Sequence, residues 1–346
     1  MEALWGMLPE ELKTLMQSWG EPGYRGGQLF KDLQKGLDFD GMTVLSKPLR
    51  ERLRTEMPVP PVTILEQHES QEDGTVKLLY GLNDRNCVEG VLMRYHYGVT
   101  LCVSTQVGCA MGCLFCASTL DGCVRNLTAA EMVGQVLCAN RLLKDSGEHV
   151  SRLVLMGSGE PMNNYDEVLR FIRVVTHPDG MNLSTRRISL STCGLPDGIR
   201  RLAKEGLELT LSLSLHAPDD ETRKKIMPVA HRYTIAETLD ACRAYYEATG
   251  RRFILEYALI DRVNASPEDA QKLSKLLKGY NCHVNLIALN TVKERNLYGA
   301  SERQIARFID ILTANGISAT RRRTMGDDIE GACGQLRKKR LEENGQ

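Results

Sequence analysis

A chain of 346 residues with 42% hydrophobic and 25% charged side chains holds enough apolar material for one large core plus a small accessory domain, and this composition excludes fibrous and disordered classes. Its 44 basic and 44 acidic residues cancel, so global charge does not announce a nucleic-acid partner. The opening Met1-Glu2-Ala3-Leu4-Trp5-Gly6-Met7 has no basic segment and no apolar run approaches a membrane span, so a cytoplasmic location without a membrane partner is expected, and the eleven cysteines there point to metal or catalytic use rather than disulfides.

Residues 1–60 read as a helical accessory domain, with amphipathic spacing over 9–19 and 26–37 broken by Gly20-Glu21-Pro22-Gly23. Pro58-Val59-Pro60-Pro61 then interrupts the chain. Residues 61–97 form a short β-rich extension, a plausible bridge between domains, in which 62–66, 75–82 and 87–95 alternate like strands and Asp73-Gly74 supplies a hairpin turn. From 98 to 346, strand patterns at 99–104, 153–156, 187–192, 209–215, 253–259, 284–289 and 318–324 alternate with helical ones. Three of those helices open on capping boxes, Thr128-x-x-Glu131, Thr234-x-x-Glu237 and Ser301-x-x-Gln304. A βα repeat of this kind predicts an α/β fold in which parallel strands, joined by right-handed crossovers, curl six at a time into a partial (β/α)6 barrel. Functional groups then belong in the loops after the strands.

The chemistry-bearing residues fall in those loops. Gly108-Cys109-Ala110-Met111-Gly112-Cys113-Leu114-Phe115-Cys116-Ala117 spaces three cysteines by three residues and then two. Three thiolates hold three corners of a cubane iron–sulfur cluster and leave one iron open to a chelating amine and carboxylate. The same residues also allow a half-built zinc site, a redox CxxC pair or buried packing cysteines. In Gly157-Ser158-Gly159-Glu160-Pro161, glycines expose backbone groups, and Glu160 can accept hydrogen bonds from a bound ammonium. Ser191, Ser214 and His216, with Leu215 between the last two, could orient ribose hydroxyls or a carboxylate, and Asn290 has an amide suited to an adenine edge. Cys333 sits among small residues in a polar, glycine-containing loop, which suits a nucleophile. Cys102 lies on the first barrel strand, and Cys87, Cys123, Cys138, Cys193, Cys242 and Cys282 read as packing residues. The basic runs Arg321-Arg322-Arg323 and Arg337-Lys338-Lys339-Arg340 could contact phosphates or simply be solvated faces.

The GCxxxCxxC loop, Gly159-Glu160-Pro161, Leu190-Ser191-Thr192, Ser214-Leu215-His216-Ala217, Val284-Asn285-Leu286-Ile287 and the run from Gly326-Asp327-Asp328 to Cys333-Gly334-Gln335-Leu336 together resemble the RlmN/Cfr family of radical-SAM RNA methyltransferases over nearly the whole chain. The resemblance implies a 4Fe-4S cluster on Cys109, Cys113 and Cys116, and two molecules of S-adenosylmethionine per turnover. Its cofactor contacts fall at Gly159, Glu160, Ser191, Ser214, Leu215, His216 and Asn290. It also implies a methyl-carrying Cys333, a Cys102 that resolves the protein–RNA adduct through a transient disulfide, and a proton acceptor at Glu89. The implied substrates are 23S rRNA and tRNA methylated at adenine carbon 2, with a flavodoxin- or ferredoxin-like electron donor and a monomeric enzyme. Ser158, where relatives often carry methionine, and Cys123, in place of an aromatic residue, depart from the pattern without removing a ligand. The rival readings are Cfr-like methylation of adenine carbon 8, a glycyl-radical activase and a non-catalytic, zinc-holding RNA-binding factor.

Overall fold

The computed structural model describes residues 3–57, 61–289 and 297–329. Three short helices, α1 (Pro9–Ser18), α2 (Tyr24–Gln34) and α3 (Lys47–Glu56), make up the N-terminal part. Each buries one stripe, with Leu12 and Met16, Leu29, Phe30 and Leu33, and Leu49 and Leu53 packed into the main core. The third helix carries a signal that the amphipathic spacing leaves faint: the Ser46 hydroxyl accepts from the Leu49 N–H, and proline stands in the first turn.

Strands β1 (Val62–Glu69), β2 (Val76–Leu82) and β3 (Cys87–Tyr95) form an antiparallel meander, and β3 pairs antiparallel with β4 (Gly98–Cys102). A separate hairpin, β5 (Gln106–Gly108) with β6 (Cys123–Asn126), frames the cysteine loop. Next come β7 (Val150–Leu155), β8 (Ile188–Thr192), β9 (Thr210–Ser214), β10 (Phe253–Leu259), β11 (Cys282–Ala288) and β12 (Ala319–Arg321), all parallel to β4. The helices between them are α4 (Ala129–Leu143), α5 (Tyr165–Thr176), α6 (Pro196–Leu202), α7 (Asp220–Ile226), α8 (Ile235–Thr249), α9 (Pro267–Leu276) and α10 (Glu302–Ala314). All three capping boxes expected from the sequence are formed, and a fourth, Ser266 with Asp269, opens α9.

The meander is not a detached bridge. It continues the barrel sheet, giving one ten-stranded order β1-β2-β3-β4-β7-β8-β9-β10-β11-β12. Strand 87–95 reads locally as a hairpin partner, and its pairing to β4, with Val91 opposite Cys102, emerges only in three dimensions. The two ends of the sheet come together: after β12, the Gly326 N–H donates to Asp73 and Asp328 accepts from the Gln71 N–H, both in the β1–β2 turn. The sheet therefore curls into an open barrel whose side gap is crossed by the chain after β12. Among the described residues, no helix is long and apolar enough to cross a membrane.

Candidate functional site

A cavity of about 370 Å³ opens at the loop ends of the strands. It is lined by Cys109, Cys113 and Cys116 from the framed loop, Gly159 and Glu160 after β7, Ser191 on β8, Ser214 and His216 at the end of β9, and Cys102 on β4. Glu89 and Leu215 do not line it. Leu215 is fully buried in the core, so only its backbone belongs to the rim, donating to the Glu256 carbonyl. Asn290 and Cys333 lie outside the described residues.

The cysteine loop is held by its backbone. The Cys109 N–H donates to the Gly122 carbonyl, Leu114 N–H to Ile226, and the Thr119 hydroxyl to the carbonyls of Cys113 and Cys116. Gly108 enters this turn at φ +75°, and a Cβ there would lie 2.0 Å from the Gly122 oxygen, so no larger residue fits. The Ser158 departure has a local use, since its hydroxyl donates to the Gly108 carbonyl (3.0 Å) and its N–H donates to Ser104. Gly159, at φ +111°, sits against Gln106 and Thr105, where a Cβ would come within 2.7 Å of both.

Glu160, 1% exposed, accepts from the Cys193 N–H (2.7 Å) and the Met162 N–H (3.0 Å), tying the loop after β7 to the loop after β8. Burial pushes its carboxyl pKa up, against those hydrogen bonds. Two of its lone pairs go to these amides, leaving capacity for a bound ammonium. His216 has φ +54° and its Nδ1 accepts from the Ala258 N–H, so the proton sits on Nε2. Its ring meets Phe115 edge-on at 4.5 Å, and burial, aided by the nearby Arg223 charge, lowers its pKa to about 3.

Sequence reasoning missed several residues. Arg223 on α7 is fully buried and donates to the carbonyls of Cys193 (2.6 Å), Ser214 (3.2 Å) and Leu215 (3.2 Å), stapling two loops together. Cys193, read as a packing residue, lines the cavity with its sulfur 3.8 Å from that of Cys113. Glu256 on β10 also lines it, accepting from Asn285 (3.3 Å) through one oxygen while the other is buried with no hydrogen-bond partner among the described residues. Lys77 on β2 forms a buried ion pair with Glu89 (3.4 Å), each 2% exposed. No motif marks Lys77 or Arg223: Lys77 interrupts an apolar strand, and Arg223 is the first of three consecutive basic residues on α7.

The donor set fits an iron–sulfur cluster. Three thiols from one loop share a cavity, and burial raises Cys109 to about 12 and Cys116 to about 11, so as bare thiolates they need a cationic partner. A cubane takes one thiolate per iron, so the three loop cysteines account for three irons and leave the fourth for another ligand. No disulfide joins two described cysteines, so the structure lends no support to the expected disulfide, whose partner Cys333 is not described.

Comparison with known proteins agrees with this geometry. Residues 103–274 match the Radical SAM superfamily, and residues 3–59 match the ribosomal RNA large subunit methyltransferase N-terminal domain. A probable dual-specificity RNA methyltransferase RlmN from Lachnoclostridium phytofermentans is 52% identical, covering 95% of this chain and 92% of its own length. A protein of the same description from Alkaliphilus oremlandii is 49% identical over 96% of each chain. The crystal structure of a radical SAM methyltransferase from Sphaerobacter thermophilus superimposes with a TM-score of 0.93 at 44% identity, covering 97% of this chain and 99% of that one. Matched by these relatives over nearly its whole length, the chain belongs to the RlmN family of radical-SAM RNA methyltransferases, which use a 4Fe-4S cluster and S-adenosylmethionine.

Proposed function

We propose that this chain methylates carbon 2 of an adenine in 23S rRNA and in tRNA, with Cys333 carrying the methyl group. The observation that carries the reading is one cavity containing the three loop cysteines on one side and Cys102 on the other. When bound at Cys109, Cys113 and Cys116, the cluster supplies the electron that splits S-adenosylmethionine into methionine and a 5'-deoxyadenosyl radical. Glu160, Ser191, Ser214, His216 and Asn290, with the backbone at Gly159 and Leu215, hold the cofactor's polar groups. Cys333 is the thiol that would take a methyl from the sulfonium of one cofactor molecule, releasing its proton and S-adenosylhomocysteine, and the deoxyadenosyl radical from a second would remove one hydrogen from that methyl so that its carbon can bond to the base. Glu89, outside the cavity lining but two residues before the lining Val91 on the same face of β3, is the proposed acceptor of the proton from adenine carbon 2, and the Lys77 ammonium offsets the charge of its buried carboxylate. Once the adduct has passed its unpaired electron to a one-electron acceptor such as the oxidised cluster, the Cys102 thiolate would attack the Cys333 sulfur, forming a transient disulfide as the carbon–sulfur bond breaks and the carbon takes up a proton to leave as the methyl group of the base. An unstacked adenine is required, because a paired base hides this edge.

The enzyme is proposed to act as a cytoplasmic monomer with a flavodoxin- or ferredoxin-like reductant. Residues 1–60 serve as an RNA-holding domain, 61–97 as the β extension and 98–346 as the catalytic barrel. Mass spectrometry of nucleosides from RNA treated with reconstituted enzyme should show 2-methyladenosine, lost in Cys333→Ala. Formation of 8-methyladenosine instead makes the enzyme Cfr-like, and normal transfer by Cys333→Ala defeats the covalent scheme.

A further inference from the structure

The side gap of the barrel carries an aromatic and cationic strip that runs from the cavity to the outer surface. β3 ends at Tyr95, which lines the cavity, and the turn through Gly98 (φ +123°) folds Tyr97 against it. The two rings lie 4.9 Å apart and 7° from parallel. Tyr97 is 50% exposed, His96 meets it edge-on, and Arg152 on β7 sets its guanidinium carbon 4.7 Å from the Tyr97 ring centre. Arg322 and Arg323 follow β12 across the gap and line the same cavity, close enough to Tyr95 to oppose the rise that burial imposes on its hydroxyl pKa.

Charge pairing sets this strip apart. Arg94 next to it is paired with Glu148, Arg125 with Asp84 and Glu131, and Arg186 with Glu208. Arg152, Arg322 and Arg323 have no carboxylate within ion-pairing distance among the described residues. Asp73, the acid near Tyr95, is already engaged by the N–H groups of Thr75 and Gly326. Arg322 is felt by the buried Glu256 carboxylate in the same cavity, whereas Arg152 and Arg323 have no such counter-charge among the described residues; guanidiniums in this state suit an anion, with phosphate their bidentate match. Stacked rings continuous with a reaction cavity suit the faces of unpaired bases, which a duplex does not present.

We propose that the strip from Arg152 over Tyr97 and Tyr95 to Arg322 and Arg323 docks the unpaired RNA segment flanking the target base, the aromatic stack taking a neighbouring base and the guanidiniums its phosphates. This rests on the RNA-methylating reading and assigns that substrate a path through the barrel's side gap. The test is anaerobic fluorescence anisotropy of the reconstituted full-length enzyme with a labelled RNA hairpin carrying an unpaired target adenine, beside a fully paired duplex of the same composition. Tyr97→Ala is expected to weaken hairpin binding roughly 10-fold, with Tyr97→Phe close to wild type. Arg152→Ala and Arg323→Ala should each weaken it several-fold and lower the salt dependence by about one phosphate contact. Because Arg323 is exposed, its variant carries the test even if Tyr97→Ala is unstable. Unchanged hairpin affinity in these variants, with wild type binding normally, overturns the strip. Equal losses on hairpin and duplex overturn the stacking role. Absence of hairpin binding by wild type removes the RNA reading itself.

Discussion

The two walls of the cavity hold their polar groups by different means. On the wall built from the cysteine loop and the loops after β7, β8 and β9, the charged and ring groups are pinned by bonds to backbone: Glu160 to two amides, His216 to the Ala258 amide and, behind the lining, Arg223 to three carbonyls. On the wall formed by β3 and β4, position comes from strand register, with Cys102 opposite Val91 and, buried behind that wall, the Lys77–Glu89 pair set by β2 and β3. A loop wall can be shaped to a small ligand at the cost of many buried bonds, whereas a strand wall is rigid but makes its charges depend on one another.

The largest expected effect lies on the loop wall. Cys113→Ala removes one of three cluster thiolates, and anaerobic reconstitution should then yield little 4Fe-4S absorbance and no methylated RNA, while far-ultraviolet circular dichroism retains a folded signal. Full cluster content in this variant would move the ligand role elsewhere, with Cys193, 3.8 Å away, the first residue to examine.

Arg223→Ala tests whether the loop wall depends on backbone staples. It removes three charge-assisted hydrogen bonds from buried carbonyls, an expected loss of about 4 kcal/mol in chemical denaturation. A loss below about 1 kcal/mol would mean that the loops hold themselves. Behind the strand wall, Lys77→Met strands the Glu89 carboxylate in a buried site and should cost about 3 kcal/mol, while the double variant with Glu89→Gln recovers most of that stability but not RNA methylation. If the double variant is no more stable than the single one, the two charges do not depend on each other and the contrast between the walls fails.

This contrast also explains what could be read from the sequence. Cys109, Cys113, Cys116, Gly159 and Glu160 are local clusters, because a loop that wraps a ligand needs glycines and donor atoms a few residues apart. The parallel strands and capping boxes are equally local. Arg223, Cys193, Lys77 and Glu256 escaped notice because their roles arise from contacts across 12 to 80 residues: Arg223 Nη2 reaches Cys193 30 positions back, Cys193 touches Cys113 80 positions away, and Lys77 pairs with Glu89 12 positions on. Continuity of the meander with the barrel sheet was hidden for a related reason, since a hairpin pattern does not name its outer neighbour.

His216 offers the finest probe of the loop wall, through pH. Its folded pKa of about 3 lies below the unfolded value of 6.5, so between these limits the unfolded chain binds a proton that the native state excludes. Stability is therefore unaffected by this group above pH 6.5 and falls as pH drops, by about 1.4 kcal/mol per unit well inside the window. His216→Asn keeps a side-chain oxygen able to accept from the Ala258 N–H and tolerates the φ of +54°, yet cannot titrate. Urea unfolding of both proteins from pH 7 to pH 5 should show wild type losing roughly 2 kcal/mol more than the variant. Parallel pH profiles would mean that the imidazole takes up a proton in the folded state, and the loop wall would then be wet rather than sealed at the point where it meets Phe115.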